Sequence, residues 1–139
     1  MSRTIKFRAY EEITGTMSDP FTLDQLQYLE RGGISLAFPD GDIHSLTATS
    51  SVRLMQYTGL RDVNGVEIYE NYVLGISRTK STLLNRQVVW REGQASFGAQ
   101  FTDQELSAHN APSSIDQQWI DEVGITVIGN IFEHEDLIQ

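Results

Sequence analysis

Three side chains that could bind a metal ion occur at alternate positions of the sequence. On a strand, Asp40, Asp42 and His44 would face the same way, because alternate side chains share a face. Carboxylate and imidazole groups arranged in this way can hold a divalent cation. However, the run Pro39 to Asp42 is also typical of an ordinary turn, and we identify no second ligating segment in the sequence. We therefore predict a turn at these residues and no metal site.

The other residues with catalytic or ligating chemistry lack suitable partners. The run Glu133 to Asp136 lies at the chain end, where fraying would leave no ordered ligands. His109 has no nucleophile motif beside it, and Gly32-Gly33 ends a predicted helix where a phosphate site would have to begin one. The chain has no cysteine, so thiolate nucleophiles, disulfides and thiolate metal sites are excluded. The sequence predicts no catalytic residue and no cofactor, and it favours a protein that is not an enzyme.

Polar side chains in the segment 55–70 are the best candidates for an interaction surface. Tyr57, Arg61, Glu67 and Glu70 are polar, and turn geometry requires none of them. We expect both carboxylates to face water, where they could contact a partner. The residues around them are predicted to have a structural role instead, in turns or in a core. This structural group consists of Gly59, Asp62, Asn64, Gly65, Ile68 and Tyr69.

The structural group has a specific local chemistry. Asn64-Gly65 between apolar residues is typical of a tight hairpin turn in which both residues have positive φ. Asp62 is placed to accept hydrogen bonds from backbone amides of the same turn. Ile68 and Tyr69 follow in strand chemistry and are predicted to pack in the core.

One segment carries helix signals. Thr22 to Gln25 has the form of a capping box, with Phe21 and Leu26 placed to form a hydrophobic staple around it. Leu23, Leu26 and Leu29 share a helical face, and Gly32-Gly33 would end the helix.

Strands are predicted along most of the remaining chain, because apolar residues alternate with polar ones between turn signals. The segment from Asp103 to Ser114 is predicted to be a surface loop. The alternating runs begin at Ile5, Ile34, Val52, Val88, Phe97 and Ile125.

This pattern predicts a mainly β fold. One short helix among many short strands favours a small, partly open β-barrel of SH3-like style with an N-terminal α+β cap that carries the helix. The length of 139 residues fits a single domain, 1–139. The small polar stretch Thr47 to Ser51 is the best candidate for an internal boundary, which would divide a cap, 1–50, from a barrel core, 51–139.

The charge and hydropathy of the chain limit its partners. A net charge of -9 argues against direct nucleic-acid binding, which requires a basic surface to neutralise phosphates. No apolar run reaches the length of a membrane span, and the N-terminus lacks the apolar block of a signal peptide. Together with the absence of cysteine, these features predict a cytoplasmic protein.

The segment Met55 to Glu70 resembles the signature block of the YopX family of phage and prophage proteins. The opening Ile5 to Tyr10, the run Val88 to Trp90 and the closing Val127 to Glu133 are similar to further parts of that family, in the same order. The resemblance implies a mainly β fold and a place in a mobile genetic element inside a bacterial host cell, and it implies no activity. One departure is Asn71-Tyr72, where the family usually has Gly-Asp.

Three functional hypotheses remain open. The first is an accessory protein that acts by binding another protein, together with self-association through exposed strand edges. The second is an acidic nucleic-acid mimic that acts as a decoy for a host DNA-binding enzyme, using carboxylates such as Asp116, Asp121 and Glu122. The third is a small enzyme or nucleic-acid binder that works through the face from Tyr57 to Glu70.

Overall fold

Strands account for most of the regular structure in this protein. The computed structural model describes residues 3–28, 34–39, 43–45, 51–79 and 81–137. Backbone contacts divide the chain into two units, Met1–Tyr57 and Thr58–Gln139. The mainly β fold class is confirmed, with a curled sheet that fits a small, partly open barrel. The single domain 1–139 and its division near residue 50 stay predictions.

The first unit is built from short antiparallel pairings. Strand β1 pairs with β2 on one side and with β6 on the other, while β3, β4 and β5 form a separate three-stranded sheet. The unit boundary falls within β6. A small core holds Ala9, Phe21, Leu36, Phe38 and Val52. The strands are β1 (Phe7–Glu11), β2 (Thr16–Met17), β3 (Gln27–Tyr28), β4 (Ile34–Ala37), β5 (Ile43–Ser45) and β6 (Val52–Arg61).

The predicted helix after Thr22 is wrong in its extent. Only Leu23–Gln25 is helical, as a single 3-10 turn. The Thr22 backbone N–H donates to Gln25 Oε1 at 2.8 Å, and the Thr22 hydroxyl donates to the Asp24 carboxylate. Residues Gln27–Tyr28 then form β3 and pair with β4, so pairing with a neighbouring strand overrides a weak helical preference. Leu29 and the predicted stop at Gly32-Gly33 lie outside the described residues.

The second unit contains a five-stranded antiparallel sheet in the order β11-β10-β9-β8-β12. The strands predicted to begin near Val88 and Phe97 are confirmed as β9 and β10, which pair directly as a hairpin and are joined by a 3-10 turn, Glu92–Gln94. Ile68, Val73, Val88 and Ile120 are fully buried in this unit. Its strands are β7 (Glu67–Tyr69), β8 (Tyr72–Ile76), β9 (Arg86–Arg91), β10 (Ser96–Phe101), β11 (Ser113–Ser114) and β12 (Ile125–Asn130).

Two α-helices were not predicted. Helix α1 (Gln104–His109) replaces the first half of the predicted surface loop, and Asp103 caps it by accepting a hydrogen bond from the Leu106 N–H. Helix α2 (Gln117–Val123) begins with the Asp116 carboxylate bonded to the Trp119 N–H and ends at Gly124, which has a φ of +84°. An aspartate and a glycine at the two ends are ordinary helix signals. None of the helices in the described part of the chain has the length and apolar character of a membrane span.

Candidate functional site

A hairpin turn joins β6 to β7 at the centre of the signature block. The Asp62 N–H donates to the Val66 carbonyl at 2.8 Å, and the Gly65 N–H donates to the Asp62 carbonyl at 3.0 Å. Gly65 has a φ of +83°, whereas Asn64 is not among the residues with positive φ. The prediction of positive φ at both turn residues is therefore wrong. The loop has three residues, a tight turn followed by a left-handed glycine, which is another common hairpin connection.

The Asp62 carboxylate connects this turn to the last strand of the sheet. Asp62 Oδ1 accepts from the N–H groups of Asn64 and Val66, at 2.8 and 2.9 Å. Asp62 Oδ2 accepts from the Val127 N–H at 2.9 Å. The residue is 4% exposed. Sequence reasoning predicted the bonds within the turn but had no signal for the bond to Val127.

The remaining members of the structural group are placed by backbone angle or by burial. Gly59 lies in β6 with a φ of +87°, an angle that favours glycine, and no other atom lies within 4 Å of the position that a Cβ would occupy. Ile68 and Tyr69 lie in β7 and are buried.

The four residues predicted to form an interaction surface do not share one environment. Tyr57 belongs to the first unit, is 8% exposed, and has the Lys6 ammonium 5.1 Å from its ring centre. Arg61, Glu67 and Glu70 belong to the second unit. Because Tyr57 is buried, its side chain offers little surface to a partner.

Glu67 is held inside its own hairpin. Its carboxylate accepts from Arg61 Nη2 at 3.3 Å and from the Tyr69 hydroxyl at 3.1 Å. The Arg61 guanidinium also donates to the Gly65 carbonyl at 3.2 Å. The side chain of Glu67 is only 17% exposed, so the prediction that it faces water is wrong. Arg61 is more accessible, and Glu70 is half-buried.

The backbone of Arg61 is closed off by a side chain from α2. The Arg61 N–H donates to Gln117 Oε1 at 3.1 Å, and Gln117 Nε2 donates to the Arg61 carbonyl at 2.7 Å. The side-chain amide therefore takes the place of a neighbouring strand at the end of β6. This contact joins residues far apart in sequence and has no signature in the sequence pattern.

The departure at Asn71-Tyr72 has a structural explanation. Asn71 has a φ of +67°, and asparagine is one of the few residues other than glycine that tolerates this angle. Tyr72 is buried, with its ring centre 5.4 Å from that of Tyr69. Tyr72 occupies the position that is usually acidic in the family that the sequence resembles, and in this chain it contributes to packing. A role for a carboxylate at this position is therefore excluded in this chain.

The described part of the closing segment has turn structure, although fraying was expected there. Asn130 Oδ1 accepts from the N–H groups of Phe132 and Glu133, and the Asn130 N–H donates to His134 Nδ1 at 3.1 Å. A Cβ atom on Gly129 would lie 2.7 Å from His134 Nδ1 and 2.7 Å from Leu137 Cδ1, so a larger residue would have to displace these side chains. A 3-10 turn, Glu135–Leu137, follows. The side-chain and backbone bonds of Asn130 are what order this run.

The other candidates remain separate. Asp40 and Asp42 lie outside the described residues, and of His44 only the backbone, within β5, is described. His109 is exposed at the end of α1. Within the described ranges, no group of three or more His, Cys, Asp or Glu side chains is arranged to hold a metal ion.

Sequence reasoning missed an aromatic pair with an exposed tryptophan on the β9–β10 hairpin. Trp90 and Phe97 are directly opposite each other, with ring centres 5.0 Å apart and ring planes at 75°. Trp90 is 46% exposed. The tryptophan next to a turn was visible in the sequence, but its exposure depends on the packing of the sheet.

The same face of this hairpin carries a cation held by aromatic rings. The Arg86 guanidinium lies 4.4 Å from the Phe101 ring centre and 5.4 Å from that of Trp119, and it donates to Ser113 Oγ at 2.9 Å. Burial lowers the pKa of Arg86 from its ordinary value, although arginine stays charged at neutral pH. No ion-pair partner for Arg86 occurs among the described side chains.

Removal of the Asp62 carboxylate should be costly. Asp62→Ala leaves three backbone N–H groups without their acceptor, so we expect a loss of about 2–4 kcal/mol in the free energy of unfolding. Asp116→Ala is a matched control that removes one exposed helix cap and should cost about 1 kcal/mol. Urea denaturation of both variants checks the difference. Equal losses in the two variants would contradict the central role of Asp62.

Comparison with known proteins agrees with this architecture. The family model described as YopX protein matches residues 6–139. The crystal structure of protein EF1440 from Enterococcus faecalis has a TM-score of 0.65 and 24% sequence identity, covering 99% of this chain and 100% of that one. At that identity the likeness concerns the fold alone. No curated protein matches the sequence. Since the family match extends over nearly the whole chain, this protein belongs to the YopX family.

Proposed function

We propose that this YopX-family chain is a non-catalytic accessory protein of a phage or prophage, which acts in the bacterial cytoplasm by binding another protein. The observation that carries the proposal is the exposure of Trp90 beside Phe97 on a hairpin. Tryptophan is enriched among the residues that dominate binding energy at protein interfaces. An exposed tryptophan in a firm setting is therefore the best available anchor for a partner.

Trp90 packs against its cross-strand neighbour. The pair Trp90–Phe97 continues a strand register in which the next pair on the same face, Val88 opposite Ala99, is buried. The aromatic rings meet edge to face, an arrangement that adds stabilisation beyond the area buried. This packing restricts the Trp90 side chain before a partner binds, which reduces the conformational entropy lost on binding.

The interaction surface that the sequence predicts in the segment 55–70 has a secondary role in this proposal. Arg61 is accessible and Glu70 is half-buried, and Glu67 neutralises part of the Arg61 charge. An ion pair at the edge of an interface contributes little to affinity compared with a central aromatic side chain. We therefore assign Arg61 and Glu70 to the periphery of binding and Trp90 to its centre.

The decoy hypothesis is favoured by a specific group of charges. Asp121 and Glu122 are exposed on α2, and the chain carries a net charge of -9. Both carboxylates accept hydrogen bonds from glutamines one turn earlier, Gln117 and Gln118, which holds them in place. Binding by such a surface depends on long-range attraction and weakens as salt screens it. The two hypotheses therefore differ in their salt dependence.

Loss of the exposed tryptophan should abolish partner capture. In a pull-down from host lysate at low and high salt, we expect a partner that wild-type protein retains at both concentrations and that Trp90→Ala does not bind. Leu54→Ala removes another exposed apolar side chain and should bind normally. A partner that is lost at high salt and kept by Trp90→Ala would favour the decoy instead. Failure to capture any partner would contradict protein binding.

Self-association should use the same aromatic face. Three of the described edge strands offer little to a second copy, since β2 and β11 have two residues each and the outer edge of β12 is bonded to Asp62 and Val63. We expect light scattering to give a mass above 15.7 kDa that rises with concentration and returns to 15.7 kDa in Trp90→Ala. A constant mass of 15.7 kDa in the wild-type protein would exclude the homo-oligomer.

A further inference from the structure

Two cavities of about 220 and 170 Å³ lie next to each other in the second unit. They share Ser81, Thr82, Asn85 and Leu137 in their linings, so they form one cleft beside the loop that precedes β9. A closed cavity of about 150 Å³ is large enough to hold benzene. The cleft can therefore hold a small organic molecule.

A buried amide without a partner lines both parts of this cleft. Asn85 is 4% exposed, and its backbone groups are bonded to Thr82 and Thr102. Its side-chain amide has no hydrogen-bond partner among the described residues. An amide that lines a cavity without a protein partner is an available donor and acceptor for a ligand.

The charged side chains in the described lining of the cleft are acidic. Asp103 and Asp136 line the larger cavity, and the described lining of neither cavity includes a lysine or an arginine. One oxygen of Asp103 caps α1 by accepting from the Leu106 N–H, which fixes that side chain. Leu83 and Leu137 supply apolar surface next to these polar groups. The combination is suited to a cation with a short apolar stem.

We propose that this cleft binds a small organic cation, a primary ammonium or guanidinium group on a short aliphatic stem. The cationic group lies near Asp103 and Asp136, the stem lies against Leu83 and Leu137, and the Asn85 amide bonds to a polar atom of the ligand. The cation can come from a free small molecule or from a lysine or arginine side chain of another protein. This site shares no residue with the Trp90 surface, so either proposal can fail alone.

Titration of the full ¹⁵N-labelled chain with n-butylguanidinium, followed by NMR, tests the proposal. We expect saturable shifts of the Asn85 side-chain amide and of the backbone amides of Asp103 and Leu137, with a dissociation constant on the order of 1 mM for so small a ligand. The neutral analogue n-butylurea has nearly the same shape and should bind about tenfold more weakly or not at all. Equal binding of both compounds, or no shifts at these residues, would overturn the proposal.

Variants separate the cleft from general charge effects. Asp136→Asn removes one exposed carboxylate of the cleft and should weaken n-butylguanidinium binding about fivefold. Asp121→Asn makes the same change on α2, outside the cleft, and should leave binding unchanged. Asn85→Leu should abolish binding. If this buried substitution disturbs folding, the exposed Asp136→Asn variant still tests the proposal. Unchanged affinity in Asp136→Asn would contradict the proposed cation site.

The source of the cation can be distinguished in the same experiment. An arginine derivative blocked at both ends reproduces a side chain presented by a protein. If it binds as well as n-butylguanidinium, the cleft accepts a partner's side chain. If it binds much more weakly while n-butylguanidinium binds normally, the backbone is excluded and the ligand is a free small molecule.

Discussion

The carboxylate of Asp62 is the interaction on which the second unit most depends. It accepts three backbone hydrogen bonds, two from its own turn and one from Val127 in the last strand of the sheet. The bonds within the turn fix the β6–β7 hairpin, whereas the bond to Val127, together with the bond from the Val63 N–H to the Ile125 carbonyl, fixes the position of β12 against that hairpin. A buried carboxylate is costly unless it is fully bonded, so the arrangement specifies one position for the turn and for the strand.

The same device recurs at the other end of β12. Asn130 accepts from two backbone N–H groups of the following turn, and Gln117 binds both backbone groups of Arg61. At Arg61 a side chain makes the bonds that a neighbouring strand would otherwise make, whereas at Asn130 a side chain bonds the backbone of a turn. The surfaces that we propose for binding, the Trp90–Phe97 pair and the cleft around Asn85, are formed by side chains instead.

Local sequence patterns were sufficient to predict the strands and hairpins, but they were insufficient to predict the contacts between them. Alternating apolar residues predicted the β9–β10 hairpin, and glycine and aspartate chemistry predicted a turn at residues 62–65. The helix after Thr22 failed because pairing with β4 outweighs a short helical preference. The bond from Asp62 to Val127, the burial of Tyr57 and Glu67, and the exposure of Trp90 depend on distant residues, which periodicity does not report. The sequence therefore predicted which segment contains the candidate site, but not which of its side chains are exposed.

Amide hydrogen exchange of the native protein tests the role of Asp62 most directly. If one carboxylate holds the turn and the strand together, the N–H groups of Val66 and Val127 open in the same event. Their protection factors should then agree within about tenfold and fall together in Asp62→Asn. A well-protected Val127 beside a Val66 that exchanges almost as fast as in an unfolded chain would contradict the account, because the turn and the strand would then be independent.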